Sequence, residues 1–263
     1  MSKIIWQSNK FIVNLRRSLL SREQIIGFYN YCEIILSDEL KKQAALAAMS
    51  EVKSGMRIGL GTGSTAKHFV DYLGAEVAKG FECLCVPTSI ATMQQAQALN
   101  IPLTTLDEID RLDVTVDGAD EIDEQMQLIK GGGGALLREK IVAAASDKMV
   151  VIADTSKLVE TLGKFALPIE VNKFGLGATQ NAVSDVMQQT GAEGGLVLRQ
   201  SGDKPFETDG GHFILDASFG RISNAQTVSE KLLNVPGVVQ HGLFLGLCAK
   251  AYLADATGVK QLG

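Results

Sequence analysis

Glu139 is the residue whose setting points most directly to chemistry. It stands in the segment Lys130-Gly131-Gly132-Gly133-Gly134-Ala135-Leu136-Leu137-Arg138-Glu139-Lys140. At about 100° per residue, a helix places Ala135, Leu136, Val142 and Ala143 on either side of it, so Glu139 is the centre of an apolar arc. Leu137 and Ile141 make the opposite face apolar too, which predicts a helix buried nearly all round. A carboxylate in such a place loses solvation and its pKa rises, which suits a general base near neutral pH. The structural alternative is an ion pair with a buried Arg or Lys. Arg138 and Lys140 point about 100° to either side, so neither is an obvious partner. The four glycines before the helix are costly to order, so their backbone must do something side chains would block.

Two further segments carry candidate groups. Gly59-Leu60-Gly61-Thr62-Gly63-Ser64-Thr65 joins an apolar strand to a helix. Free N–H groups and the helix dipole at such a junction suit a phosphate, with hydroxyls of Thr62, Ser64 and Thr65 as added donors. The loop is no dinucleotide fingerprint, because Ser64 stands where the third glycine belongs, and no Gly-Lys-Ser/Thr follows to make a P-loop. Asp117-Gly118-Ala119-Asp120-Glu121, with Asp123, gathers four acids just beyond a buried strand. They repel one another unless a metal, a lysine or sugar hydroxyls neutralise them. Ala119 breaks the alternation of a Ca²⁺ loop, while a Mg²⁺ site stays open. A solvated turn is the plain alternative. Lys130, Lys41 and Lys157 stand at segment boundaries and complete the set.

The elements that must position these groups alternate from residue 37 onward. A helix capped by Ser37 or Asp38 presents Leu40, Ala44, Ala47, Ala48 and Val52. Strands are predicted over 56–60, 81–86, 114–116 and 149–153, with helices over 66–73, 89–99 and 135–145. That alternation indicates a parallel sheet with both faces covered, a Rossmann-like α/β arrangement. From 165 the order becomes strand 165–171, helix 178–189, strands 195–199 and 212–219, helix 224–234 and strand 238–244. This is β-α-β-β-α-β, the ferredoxin-like α+β pattern. The expected organisation is therefore 37–164 with 241–263 as the Rossmann-like part and 165–240 as the ferredoxin-like part. The strand-like piece 251–254 should return to the first sheet.

Composition narrows the function. The chain has 263 residues, 46% of them hydrophobic, and a net charge of −5, which argues against both disorder and nucleic-acid binding. No apolar run is long enough to cross a membrane as a helix. Four cysteines are too few for a disulfide scaffold, and Cys83 and Cys85 read as reduced core residues of a cytosolic protein. Residues 1–36 differ from the rest, with five basic and two acidic side chains and the only tryptophan, Trp6. They read as a leader outside the ordered chain, with a targeting peptide as the alternative.

Taken together, Thr62-Gly63-Ser64-Thr65, the Asp117–Glu121 turn and the Lys130–Lys140 segment resemble ribose-5-phosphate isomerase, type A, from about Ser37 to the C-terminus. The resemblance implies interconversion of ribose 5-phosphate and ribulose 5-phosphate without metal or cofactor. It implies Glu139 as general base acting through a cis-enediolate. Asp117, Gly118, Ala119, Asp120, Lys130, Gly131, Gly132 and Gly133 would hold the open-chain sugar, with Asp117, Asp120 and Lys130 assisting proton transfer. The 62–65 loop, Lys41 and Lys157 would hold the phosphate. It also implies a cytoplasmic homodimer or homotetramer of the pentose phosphate pathway. An amino-sugar-phosphate deaminase is the competing enzyme, but His68, His212 and His241 fall outside the motifs. A sugar-phosphate sensor is the competing binder, but it would need no base at 139.

Overall fold

The computed structural model describes residues 36–263; the expected leader therefore lies outside the described residues, apart from Leu36. The first described element, helix α1, covers 36–48. Leu36 is already helical, so Ser37 lies within the helix and does not cap it. Ala44, Ala45 and Ala48 bury its inner face. Residues Leu40–Gly263 form one unit.

The large sheet is built from β1 (Met56–Leu60), β2 (Cys83–Pro87), β3 (Val114–Asp117) and, later in the chain, β6 (Met149–Asp154), β14 (Cys248–Asp255) and β15 (Gly258–Leu262). Its order is β15-β14-β6-β3-β1-β2, parallel throughout except for the β14–β15 hairpin at one edge. The return of 251–254 to this sheet was legible; β15 was not. Helices α2 (Ser64–Val77), α3 (Ile90–Ala98) and α4 (Leu136–Ala144) connect the strands. Successive residues of β6 belong to different cores. Val150 and Ile152 pack with Ile58, Leu60, Phe69, Val70, Leu73 and Ala96, while Met149, Val151 and Ala153 pack with Ala143, Phe244 and Leu253. Strand alternation thus buries both faces, which is why β6 is a continuous apolar run. The same alternation matters in β3. Val114 and Val116 join the first core, so Asp117 is carried on the other face, the one that Ala143 of α4 packs against.

Between β3 and α4 the chain forms two short strands, β4 (Glu121–Ile122) and β5 (Leu128–Ile129). After β6 comes a 3-10 turn, Thr155–Lys157, and then a four-stranded antiparallel sheet. It contains β7 (Leu167–Val171), β8 (Leu196–Leu198), β11 (Phe213–Ala217) and β12 (Val238–His241), with helices α5 (Leu176–Gln189) and α6 (Ala225–Leu233). Its order, β12-β7-β11-β8, is that of a ferredoxin-like sheet. A small hairpin, β9 (Gln200–Ser201) with β10 (Lys204–Pro205), extends the β8–β11 connection.

The sequence predicted one strand over 238–244, but two strands occur. β12 ends at His241, and β13 (Leu243–Phe244) pairs instead with β5. Gly242 is the reason: a Cβ there would lie 2.1 Å from the carbonyl oxygen of Lys130, so the chain passes hard against the β5 end and changes partner. A second correction concerns α4. Ala135, Leu136, Val142 and Ala143 are buried as expected, but Ile141 is 50% exposed. One face of α4 covers the sheet; the other borders a cleft of about 590 Å³ lined in part by Met93, Leu103, Leu106 and Ile141.

Candidate active site

The carboxyl ends of β1 and β3 lie side by side, and the chain leaves β1 for β2 on one side and reaches β3 on the other. Such a switch point leaves a crevice where ligands of open α/β sheets bind. Gly61 leads out of β1 directly against Asp117: a Cβ at Gly61 would stand 2.3 Å from Asp117 Oδ1. Asp117 Oδ1 accepts the N–H groups of Gly118 at 2.7 Å and Thr62 at 3.1 Å. The candidate phosphate loop and the acidic turn are thereby tied through one carboxylate.

Asp117, Lys130 and Glu139 converge in the interior, and none of the three is more than 4% exposed. Lys130 Nζ donates to Gly118 O at 2.6 Å and Glu139 Oε1 at 3.2 Å, and it lies 3.1 Å from Asp117 Oδ2. The Phe244 ring stands 5.6 Å from the same ammonium. Burial pushes the Glu139 carboxyl up to about 8; Lys130 opposes the rise and the Asp117 charge adds to it. Burial also raises Asp117, against Lys130 and the two backbone N–H groups. Burial works against the Lys130 ammonium as well, but Asp117 and Glu139 outweigh it and hold its pKa above the ordinary lysine value. The two carboxylates differ in their donors. Asp117 Oδ1 has two backbone donors that favour its charged form, whereas Glu139 receives only the Lys130 ammonium, on Oε1; Asp117 Oδ2 and Glu139 Oε2 are both buried with no hydrogen-bond partner among the described residues.

The buried partner of Glu139 is thus Lys130, nine residues upstream, and not a helix neighbour. Arg138 points to Asp209, donating to its backbone oxygen at 3.1 Å. Lys140 donates to His241 O at 2.6 Å and Gln240 Oε1 at 2.9 Å, which ties α4 to β12. Burial pushes the Lys140 ammonium down to about 7.

The acidic turn divides by role. Asp120 Oδ2 accepts the Gly132 N–H at 2.7 Å and so reaches the glycine run. Glu121 accepts the N–H groups of Gly163 and Phe165, and Asp123 accepts those of Gln125 and Gln127. Backbone donors therefore satisfy Glu121 and Asp123, and Lys130 faces Asp117, which offsets the repulsion implied by four clustered acids. Ala119 is half-buried in the same turn.

At the other end of the crevice, α2 begins at Ser64, earlier than the expected start at 66. Its N-cap is Gly63, with no side-chain cap and no acid in the first turn. Ser89 caps α3 and Asn224 caps α6, whereas α4 and α5, like α2, have no side-chain cap. Uncapped N–H groups at a helix start leave room for an anion. Gly63 and Ser64 are exposed and Thr65 is buried. The Thr62 hydroxyl, expected as a ligand donor, is engaged elsewhere. It lies 2.7 Å from Thr88 Oγ1, 2.8 Å from Ser89 Oγ and 3.0 Å from Thr92 Oγ1, a hydroxyl cluster that fixes the loop. Lys157 closes the turn after β6, and Lys41 lies half-buried on α1; among the described residues neither is hydrogen-bonded or ion-paired to the cluster. Among the histidines, His212 faces Glu170 and His241 faces Ser229, both away from the triad's hydrogen bonds.

Comparison with known proteins decides the family. The model of ribose 5-phosphate isomerase A (phosphoriboisomerase A) matches residues 84–258. The chain belongs to the ribose-5-phosphate isomerase A family. The ribose-5-phosphate isomerase A of Bradyrhizobium diazoefficiens is 58% identical over 230 residues, covering 86% of this chain and 95% of that protein. The Plasmodium falciparum ribose 5-phosphate isomerase structure superposes with a TM-score of 0.81 at 37% identity, covering 86% of this chain and 98% of that one. A D-ribose-5-phosphate isomerase solved in complex with phospho-erythronic acid gives a TM-score of 0.80 at 37% identity, with coverage of 86% and 98%. The family is one of aldose-ketose isomerases, and the mixed α/β fold with its mainly parallel central sheet is shared with these structures.

Proposed function

We propose that the chain interconverts ribose 5-phosphate and ribulose 5-phosphate through a cis-enediolate, with Glu139 as the general base. The observation that carries this reading is the buried Glu139, which, unlike Asp117, has no backbone donor among the described residues: Lys130, whose ammonium stays charged, donates to its Oε1, and its Oε2 has no partner there. Glu139 removes the proton from C2 of the open-chain aldose. The electron pair moves into the C1–C2 bond and negative charge develops on the sugar oxygen. The Lys130 ammonium stabilises that charge in a site from which water is excluded. Glu139 then returns the proton to C1 on the same face, while Asp117 and Asp120 serve the proton exchange between the two sugar oxygens. Nothing is gained or lost overall, as an isomerisation requires.

The phosphate lies on the uncapped start of α2, against the N–H groups of Gly63, Ser64 and Thr65 and the Ser64 and Thr65 hydroxyls, with Lys41 and Lys157 as counter-charges. Gly118, Ala119 and the Gly131–Gly133 backbone line the sugar between the two ends. The ligand named for one structural neighbour fits this division. Phospho-erythronic acid carries a phosphate at one end and a planar carboxylate at the other, and a carboxylate resembles an enediolate in shape and charge. A phosphate held far from the reacting carbons acts as a positioning handle. On the same reading the enzyme serves the pentose phosphate pathway in the cytoplasm as a homodimer or homotetramer, which sedimentation of the pure chain tests. No described helix is long and apolar enough to cross a membrane.

The deciding experiment is turnover of ribose 5-phosphate by the chain beside its Glu139→Gln variant, both in EDTA. Fast wild-type turnover and a folded, inactive variant are expected. No turnover by the wild type would refute the reading, and loss in EDTA restored by Mg²⁺ would assign a metal to the acidic turn.

A further inference from the structure

Glycines favour no single backbone geometry, so the one internal turn bond, from the Gly134 N–H to Gly131 O at 2.9 Å, needs support from outside to set the course of Gly131–Gly134. That support comes from the antiparallel sheet, 68 residues away. Arg199, just after β8, donates from one guanidinium nitrogen, Nη1, to Gly131 O at 2.8 Å and Gly132 O at 3.1 Å. The other edge of the guanidinium is held by Asp216 of β11, which accepts from Nε at 2.9 Å and from Nη2. The Phe206 ring lies 5.8 Å from the guanidinium carbon, and it also fills the space where a Gly134 Cβ would stand, 2.4 Å away. Arg199 is thus held along one edge by Asp216 and over one face by Phe206, and its remaining nitrogen meets the glycines.

The consequence follows from peptide geometry. In a trans peptide the carbonyl and the next N–H point in opposite directions, and among the described residues no peptide is cis. Drawing the carbonyls of Gly131 and Gly132 toward Arg199 turns the N–H groups of Gly132 and Gly133 away from it. The first of these meets Asp120 Oδ2 at 2.7 Å. Both glycines are exposed, and a Cβ at Gly133 would meet nothing within 4 Å, so the side they face is open.

We infer that Arg199, locked by Asp216, is a positioning residue that fixes Asp120 through the Gly132 N–H and aims the Gly133 N–H at the reacting end of the sugar. The antiparallel sheet then completes the active site of the parallel sheet. Arg199 touches no substrate; it acts through the glycine peptides. Lysine cannot replace it, because one ammonium cannot hold Asp216 along one edge and two carbonyls along the other.

This inference rests on the isomerase reading, and its test separates the two. Wild type, Arg199→Lys, Arg199→Gln, Asp216→Asn and the Arg199→Lys/Asp216→Asn double variant are assayed for kcat and KM with ribose 5-phosphate. Inhibition by inorganic phosphate and far-ultraviolet circular dichroism are measured on each. The expected loss in kcat for folded Arg199→Lys is roughly 10- to 100-fold, below the loss seen when an oxyanion donor itself is removed. The inhibition constant for phosphate should stay within about twofold, because the α2 site does not involve Arg199. The double variant should be no worse than Arg199→Lys alone, since the two residues act as a unit. Should both Arg199 variants fail to fold, Asp216→Asn, which keeps the guanidinium, carries the same expectation. Turnover within twofold of wild type in the folded variants, a phosphate constant that rises in step with the kcat loss, or losses that multiply in the double variant would each overturn the role. A wild type without turnover would overturn the isomerase reading and this role together.

Discussion

Replacing Glu139 with glutamine should make the protein more stable while removing its activity, and the gain should grow with pH. The folded chain holds the Glu139 carboxyl at about 8, against an ordinary value of 4.5. Below pH 4.5 both folded and unfolded chains keep the proton, and the residue costs nothing. Between 4.5 and 8 the unfolded chain releases a proton that the folded chain retains, so stability falls as pH rises. Above 8 both forms are ionised and the cost levels off. At 1.36 kcal/mol per unit, the cost is about 1 kcal/mol at pH 5, about 3 at pH 7 and about 5 at pH 9. These are ceilings, because packing relaxes around the ionised group. Glutamine has nearly the same shape and does not titrate, and Asp117 remains as the counter-charge of Lys130. Glu139→Gln should therefore gain up to these amounts over wild type at each pH. Urea unfolding of both proteins at pH 5, 7 and 9, at one protein concentration, measures the difference. A variant less stable than wild type at pH 9, or a difference that does not change with pH, would refute the reasoning. Ionised Glu139 would then be a net stabilising partner of Lys130 and not a strained base.

The same carboxyl sets the pH dependence of catalysis. A base must be ionised to act, so kcat/KM should rise about tenfold per pH unit and level off above about 8; a flat profile from 6 to 9 would remove Glu139 from the role. Ser64→Asp places an acid in the first turn of α2, where none stands now. It should weaken inhibition by inorganic phosphate by on the order of tenfold or more while the chain stays folded; an unchanged inhibition constant would move the phosphate elsewhere. Lys41→Ala and Lys157→Ala should raise KM with little change in kcat, and an unchanged KM in both would exclude them from phosphate binding.

How much of this was legible depended on the range of the interaction. The apolar arc around Glu139 was legible because helical periodicity is local, and Ala135, Leu136, Val142 and Ala143 are all buried. The partner of Glu139 was not, because Lys130 reaches it only once the glycine run folds back, and no periodicity reports that path. The exposure of Ile141 was missed for a related reason: an apolar residue does not say whether a neighbouring element comes to cover it. The acids of the turn look alike in sequence, yet Glu121 and Asp123 serve backbone N–H groups from the 163–165 segment and from their own turn. The Thr62 hydroxyl is drawn into a cluster with Thr88, Ser89 and Thr92, residues that only the strand order brings near. Arg199, Phe206, Gly242 and Phe244 come from distant segments and carried no local signal. β4, β5 and β13 have two residues each, too few to form a pattern.

The residues that were legible share a cause with the cost they impose. A carboxylate in an apolar arc and four successive glycines each break a local rule of stability. Each break is visible in sequence because the rule is local. What compensates them is not local: Lys130 faces Glu139 across the fold, and Arg199 of the other sheet binds the glycine carbonyls. A sequence of this kind therefore displays its active site as a set of unmet requirements, while the groups that meet them emerge only from topology. The compensation is also incomplete by design. Glu139 Oε2 has no hydrogen-bond partner among the described residues, and α2 has no side-chain cap. On the proposed reading, those two positions meet the proton that the sugar phosphate gives up and the charge of its phosphate.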